Sequence, residues 1–369
     1  MQILIAPDKF KESLTAQEVA NAIRDGLGTV LSQASFDIVP VADGGEGTAG
    51  IFLRALGGEW VEAATHDALG RPITASYAWM GDQKLAVIEM SAASGLWRIE
   101  SNQRDPLRAH TLGTGELIAD AVARGAEQLL VGLGGSATND AGVGMASALG
   151  WKFLDAANNT LAPYPAEFRK ISKIVPPGRP LSCRVTGLCD VNNPLLGAAG
   201  ATRTFGPQKG ASSEMLATLE ESLAHVALLC SDQFGKDLSL VPGAGAAGGL
   251  GFGLLTFLQA ALESGFNAIS RLVDLESRVL AADLVITGEG RLDAQSLQGK
   301  APFEISQLAQ RHGKPVIGFA GIIEGELPGF DACIPIANGP LTLEESRARA
   351  AELLRAAAKR TARLLKITL

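Results

Sequence analysis

At least four times along this chain an apolar, strand-like run stops abruptly in glycines mixed with Asp, Glu, Ser, Thr or Lys. The fullest case is 283–300, where a short apolar strand breaks into Gly288-Glu289-Gly290-Arg291-Leu292-Asp293 and continues to Ser296 and Lys300. The others are 3–11, ending in Asp8, Lys9 and Lys11; 38–48, carrying Asp43 and Glu46; and 129–140, ending in Gly134-Gly135-Ser136-Ala137-Thr138-Asn139-Asp140. Helical patterns follow. Thr15 and Glu18 have capping-box spacing ahead of Val19, Ala22, Ile23 and Leu27 on one helical face, and 49–56 reads as a helix after a 36–41 strand. Strand, polar glycine loop and helix in alternation predict a parallel sheet with helices on its faces. In such sheets ligands bind beyond the carboxyl ends of the strands, where loop amides and helix N-termini favour anions.

From 60 to about 96 the rhythm changes to short alternating runs broken by turn residues, which suggests an antiparallel or mixed insertion. Helices are expected at 115–125 and 141–149, with a buried strand at 128–132 between them. Alternation resumes with strand-like 279–286, helix 303–311 and strands 316–320 and 332–336, and it ends in one long helix over 343–364. The similar character of the two chain ends predicts one α/β Rossmann-like parallel-sheet domain built from 1–60 and 279–369, with a second mixed α/β domain, 61–278, inserted. A length of 369 residues agrees with two domains, because single cores stop growing at roughly 250–300.

The net charge of −7 argues against broad nucleic-acid or anionic-membrane binding, though a few local cations and amides suffice for a phosphate. Cys183, Cys189, Cys230 and Cys333 form no CxxC pair and the four histidines are scattered, so reduced, mostly buried cysteines and no zinc site are expected. The 3–6 run is too short for a signal-peptide core and meets charge at Asp8, which points to the cytoplasm. Residues 238–262 carry no charge and would be long enough to cross a bilayer, but Pro242 and six glycines favour a loop leading into a buried helix.

No P-loop signature and no protein-kinase HRD or DFG set occurs. Gly243-Ala-Gly245-Ala-Ala-Gly248 fits the dinucleotide pattern, but Pro242 and a poor preceding strand make a packing or phosphate-approaching turn the better reading. Asp43 and Glu46 among glycines suit a magnesium ion bridging a nucleotide, against plain helix capping. Gly134, Gly135, Ser136, Thr138 and Asn139 offer amides and hydroxyls at a helix start, as a phosphate chain requires. Asp190, at a strand end, is a candidate base, with an Asx-turn as its bland alternative; Lys209 suits a phosphate, with a solvated surface lysine as its alternative. Arg291 suits a bidentate grip on a carboxylate or phosphate, and Asp293 a metal or a substrate hydroxyl.

These loops, in this order, resemble the type-1 glycerate kinase family of bacteria. The matching stretches are 6–16, 41–48, 134–140, 190–197, 205–210, 243–250 and 287–293, and the similarity runs from Met1 to about Leu365. The resemblance implies ATP- and magnesium-dependent phosphorylation of D-glycerate, usually at the 2-hydroxyl, in a cleft between a discontinuous Rossmann-like domain and an inserted one. It leaves open a 3-kinase, and outside the family a nicotinamide-dependent dehydrogenase of a small hydroxy acid or a ligand-binding regulator. The residue roles expected for that chemistry are Asp190 or Asp293 as base, Asp43 with the other as magnesium ligands, and Lys9 and Lys209 on phosphates. Arg291 would hold the glycerate carboxylate, and the Gly134–Asp140 loop would cradle the nucleotide, with Gly288 and Glu289 adding contacts. A homodimer is left open.

Overall fold

The computed structural model describes residues 1–293 and 300–368. They form two compact units: Met1–Asp43 with Phe266–Leu369, and Gly44–Gly265.

The unit of the two chain ends is built on a five-stranded sheet in the order Ala332–Pro335, Val316–Ile323, Leu284–Leu292, Gln2–Ile5, Ser35–Ile38. Every pairing is parallel, and the first strand of the chain lies beside one almost 300 residues away, with Ile3 opposite Leu284 and Ile5 opposite Ile286. Buried on both faces, Ile3, Ile5, Ile286 and Phe319 pack with Ile23 and Leu354 of the covering helices. The helix Ala16–Gly28 starts as its residues dictate: Thr15 accepts from the Glu18 amide, and the Glu18 carboxylate accepts from the Thr15 amide at 2.8 Å.

Three departures from the sequence reading have local causes. The 36–41 run is a strand only over Ser35–Ile38, although Val39 and Val41 still bond back to Ile5 and Pro7; Pro40 between them sits on the open edge, where no N–H is needed. Val279 lies in the helix Leu275–Ala281, so the strand begins at Leu284, and it runs on through Gly288, Glu289 and Arg291 to Leu292. These residues stay in the sheet because Val316–Ile323 pairs with them along the whole length, Arg291 opposite Ile322. The expected long final helix is two, Leu343–Ala348 and Ala350–Thr368, broken where Arg349 takes φ −106° and ψ 10°.

The second unit holds a six-stranded sheet in the order Ala261–Glu263, Arg184–Leu188, Gln128–Gly132, Leu85–Glu89, Pro72–Met80, Glu59–His66. The first four strands are parallel, and the last two form the expected antiparallel edge. Along Glu59–His66 burial alternates, as in a strand with one face on the core. Ile88, Leu129 and Val131 meet Leu117, Ile118 and Leu250 from the helices. Cys230 is buried, Cys183, Cys189 and Cys333 are only partly so, and all four are free thiols.

The uncharged 238–262 stretch becomes the buried helix Ala246–Phe257, and among the described residues no helix is long and apolar enough to cross a membrane. Its first turns are left-handed at Ala247, Gly248 and Gly249. A side chain at Gly248 would collide with the Thr138 carbonyl, and one at Gly245 with that of Pro194. A turn, not a strand, precedes Gly243, so the dinucleotide-like pattern is a packing device.

The helices Ala16–Gly28 and Ala350–Thr368 meet where Gly26 lies against Ala358; an added Cβ would strike the Arg355 carbonyl oxygen and stand 2.7 Å from Ala358 Cβ. Gly26→Ala is therefore expected to cost about 1–3 kcal/mol despite the better helix propensity of alanine, read as a lower urea midpoint at unchanged slope.

Candidate active site

In the Gly44–Gly265 unit, loops leave the carboxyl ends of three neighbouring parallel strands, Leu85–Glu89, Gln128–Gly132 and Arg184–Leu188. The middle loop brings Gly134, Gly135, Ser136, Thr138 and Asn139 together, as expected. Its glycines answer to a second glycine loop crossing it. A Cβ at Gly132 would lie 2.5 Å from the Gly44 carbonyl oxygen, and one at Gly134 would lie 2.5 Å from Gly45 Cα. Gly135 has φ +74°, accessible to glycine at little cost. The loop is further pinned by the Ser91–Leu96 region: Leu96 N donates to Gly135 O and Ala137 N to Ser94 O, both at 2.9 Å.

Asp140 closes the loop. Its wholly buried carboxylate accepts from Thr111 N and Thr111 Oγ1 at 2.8 Å, from Gly144 N at 3.1 Å and from Gly142 N at 3.2 Å, while Thr111 Oγ1 accepts from Met145 N. Burial pushes its pKa up and these donors pull it down, burial prevailing. The network ties the helix Leu112–Ala123 to Val143–Ala148.

Lys209 lies beneath the same loop, 2% exposed, so the surface-lysine alternative is excluded. Its Nζ donates to Ser136 Oγ at 2.8 Å and to Thr138 O at 2.7 Å. Burial lowers its pKa to about 7, with the Asp140 charge opposing. A neutral amine has two N–H groups, and these two acceptors take both. Beside it Asn139 Nδ2 donates to Thr202 Oγ1 at 3.0 Å, and Asn139 Oδ1 is buried with no hydrogen-bond partner.

Asp190 also belongs to this unit, half-exposed just beyond the Arg184–Leu188 strand. Lys9, Asp43, Gly288, Glu289, Arg291 and Asp293 belong to the unit of the chain ends. There Asp8 N donates to Gly288 O at 2.9 Å, and the Asp8 carboxylate accepts from Lys9 N at 2.6 Å. Burial, then the charges of Asp43 and Glu289, raise Asp8 well above the usual carboxylate range, with Lys9 opposing. Lys300 Nζ stands 3.3 Å from Glu289. Gly288 answers to packing, since a Cβ there would strike the Phe319 carbonyl. Arg291, exposed, pairs with Asp293 at 2.9 Å and Glu324 at 2.7 Å. Ser296 lies outside the described residues.

Three groups escaped the sequence reading. Asp8 sits in the first loop but gains its character only from Asp43 and Glu289. Glu89, an acidic residue at the end of an apolar strand, accepts from Gly47 N and Ala49 N at 2.9 Å and caps the helix Thr48–Leu56 from a distance of some 40 residues. Thr111 shows no signal at all along the chain.

Lys209 generates a pH prediction. An unfolded lysine titrates near 10.4, the folded one near 7, so between these values the unfolded chain holds a proton that the fold does not. Stability should rise with pH across this window, by at most about 1.4 kcal/mol per pH unit, and level off above it. Lys209→Met should abolish that slope in urea titrations at pH 7 to 10. Asp140→Asn sets an amide N–H against backbone donors and should cost about 1.5–3 kcal/mol in the same assay.

The glycerate kinase family model matches residues 3–366. A glycerate kinase of Bacillus subtilis strain 168 is 44% identical over 100% of this chain and 98% of its own length. A glycerate 2-kinase of Escherichia coli K12 is 43% identical over 94% of this chain and 93% of its own. A crystal structure provisionally assigned as glycerate kinase 2 from Salmonella typhimurium LT2 superposes with a TM-score of 0.85 at 41% identity, covering 100% of this chain and 99% of that one. With a family match over nearly its whole length and these relatives agreeing, the chain belongs to the glycerate kinase family, whose kinase chemistry implies use of ATP.

Proposed function

We propose that this protein transfers the γ-phosphoryl group of ATP to the 2-hydroxyl of D-glycerate, giving 2-phosphoglycerate. The observation that carries the reading is the 133–142 loop, its amides and hydroxyls braced by the buried Lys209 beyond the carboxyl end of a central parallel strand, in a chain of this family. The regiochemistry rests on the E. coli relative's name and that of the Salmonella structure.

Phosphoryl transfer asks a protein for positioning and charge neutralisation more than for covalent help. The Gly134–Asn139 loop, held in shape by Lys209, supplies amides to the nucleotide, and Gly288 and Glu289 are further candidates for nucleotide contact. Lys9 faces phosphate, and Arg291, released from Glu324, holds the substrate carboxylate. Asp190 or Asp293 accepts the hydroxyl proton. Magnesium takes one or two carboxylates beside waters and phosphate oxygens, and Asp43 with Asp293, both of the chain-end unit, would supply them. When bound, the ion would offset charge on the phosphate oxygens.

Purified protein with Mg-ATP and D-glycerate should release ADP only when glycerate is present, with a 2-phosphoglycerate signal by phosphorus NMR. ADP without glycerate, or none, would sink the reading; a 3-phosphoglycerate signal would correct its regiochemistry. Of Asp190→Asn and Asp293→Asn, the variant lacking the base should lose at least about a hundredfold in kcat with its unfolding midpoint kept, and near-normal turnover would remove that residue from the mechanism.

A further inference from the structure

Trp97 stands 62% exposed in the turn that braces the 134–139 loop, and none of the roles above uses it. A lone tryptophan on a surface needs no purpose, but a free one rotates, and this ring is fixed on several sides. Its Nε1 donates to Ser91 O at 3.0 Å. Its edge lies on Gly95, where an added Cβ would stand 2.8 Å from both Cδ1 and Nε1. One face carries the Arg98 guanidinium, 4.4 Å from the ring centroid, and that guanidinium is itself anchored through Nε to Ala92 O at 2.7 Å. With an edge on backbone and one face under a cation, the opposite face is left to solvent, flat and already ordered.

That ring is continuous with the loop given to the nucleotide. Gly95 pairs with Ser136 in an antiparallel bridge, and Leu96 N donates to Gly135 O at 2.9 Å. Trp97 follows at once, its Cα at most about 7 Å from that of Gly95. Phosphates belong on the loop amides, and glycerate has no flat apolar face to offer, so the part of the two substrates that matches an ordered indole is the base of ATP. Stacking on an aromatic side chain is worth about 1–3 kcal/mol per base, and a ring held beforehand loses little freedom on binding. Resting on the reading that the 134–139 loop cradles the triphosphate, we infer that Trp97 is the platform on which the adenine of ATP stacks. The contact meets a π-face and reads no base edge, so it favours a nucleotide over bare polyphosphate without by itself separating adenine from guanine.

Indole emission reports the contact directly. Excited at the red edge of indole absorption, where adenine is transparent, wild type should lose emission on adding Mg-ATP and keep it with magnesium tripolyphosphate, which has the phosphates and no base. Trp97→Leu should lose the ATP-dependent change although Trp60, Trp79 and Trp151 remain, and should keep its unfolding midpoint. Its calorimetric Kd and its KM for Mg-ATP should rise roughly 5- to 150-fold, with KM for D-glycerate and the affinity for tripolyphosphate unchanged. An unchanged affinity for ATP, a rise confined to KM for D-glycerate, or an equal loss on tripolyphosphate, which would mean a deformed loop, would overturn the inference. The same proteins separate it from the kinase reading. If wild type makes no phosphoglycerate but binds ATP through Trp97, the reaction fails and the platform stands; if it makes phosphoglycerate and Trp97→Leu binds ATP as well as wild type, the reverse holds. Wild type that neither binds ATP nor turns over glycerate defeats both.

Discussion

The buried Asp140 carboxylate holds the inserted unit's loop system in one arrangement. A carboxylate wholly removed from water is tolerable only when donors surround it, and four converge here from Thr111, Gly142 and Gly144. Thr111 in turn takes the Met145 amide, so two helices and the end of the glycine loop share one polar centre. Thr138 and Ser136 are thereby placed where Lys209 can reach them, and the lysine gives up its charge near neutrality because it is equally buried. Deforming any member disturbs the others, as expected of a fully connected polar network in a low-dielectric interior.

Glycine serves several ends here. Gly26 lets two helices touch, Gly248 lets the start of the Ala246–Phe257 helix cross the 138–139 backbone, and Gly134 lets two loops meet. Gly135 is different: its bare face is bordered by the Glu46 carboxylate and the Ser91 hydroxyl. In the chain-end unit the analogous concentration is one of charge, with Asp43 and Glu289 both raising the buried Asp8. Membership of the glycerate kinase family joins these features to one chemistry without assigning the role of any single side chain.

Much of the fold was legible along the chain because its signals are local. The Thr15 and Glu18 capping box, the alternation over 59–66 and the apolar runs at 3–5 and 128–132 each depend on neighbours a few residues away. The strand through Gly288 and Arg291 was misread as a loop because glycines and charges are poor strand formers, and only the partner strand Val316–Ile323 holds them in the sheet. The final helix divides at Arg349, a residue of good helix propensity, so composition offered no warning.

The order of strands, loops and helices, the use of both chain ends in one parallel sheet, and the grouping of Gly134 to Asn139 were therefore determined by the sequence itself. What tertiary structure alone decided is the state of the ionisable groups and the purpose of the glycines. Along the chain Lys209 reads as a charged lysine turned to phosphate or solvent, and nothing there sets Asp8 apart from an ordinary carboxylate. Their altered chemistry comes from burial and from neighbours tens to hundreds of residues distant, and no local pattern encodes either.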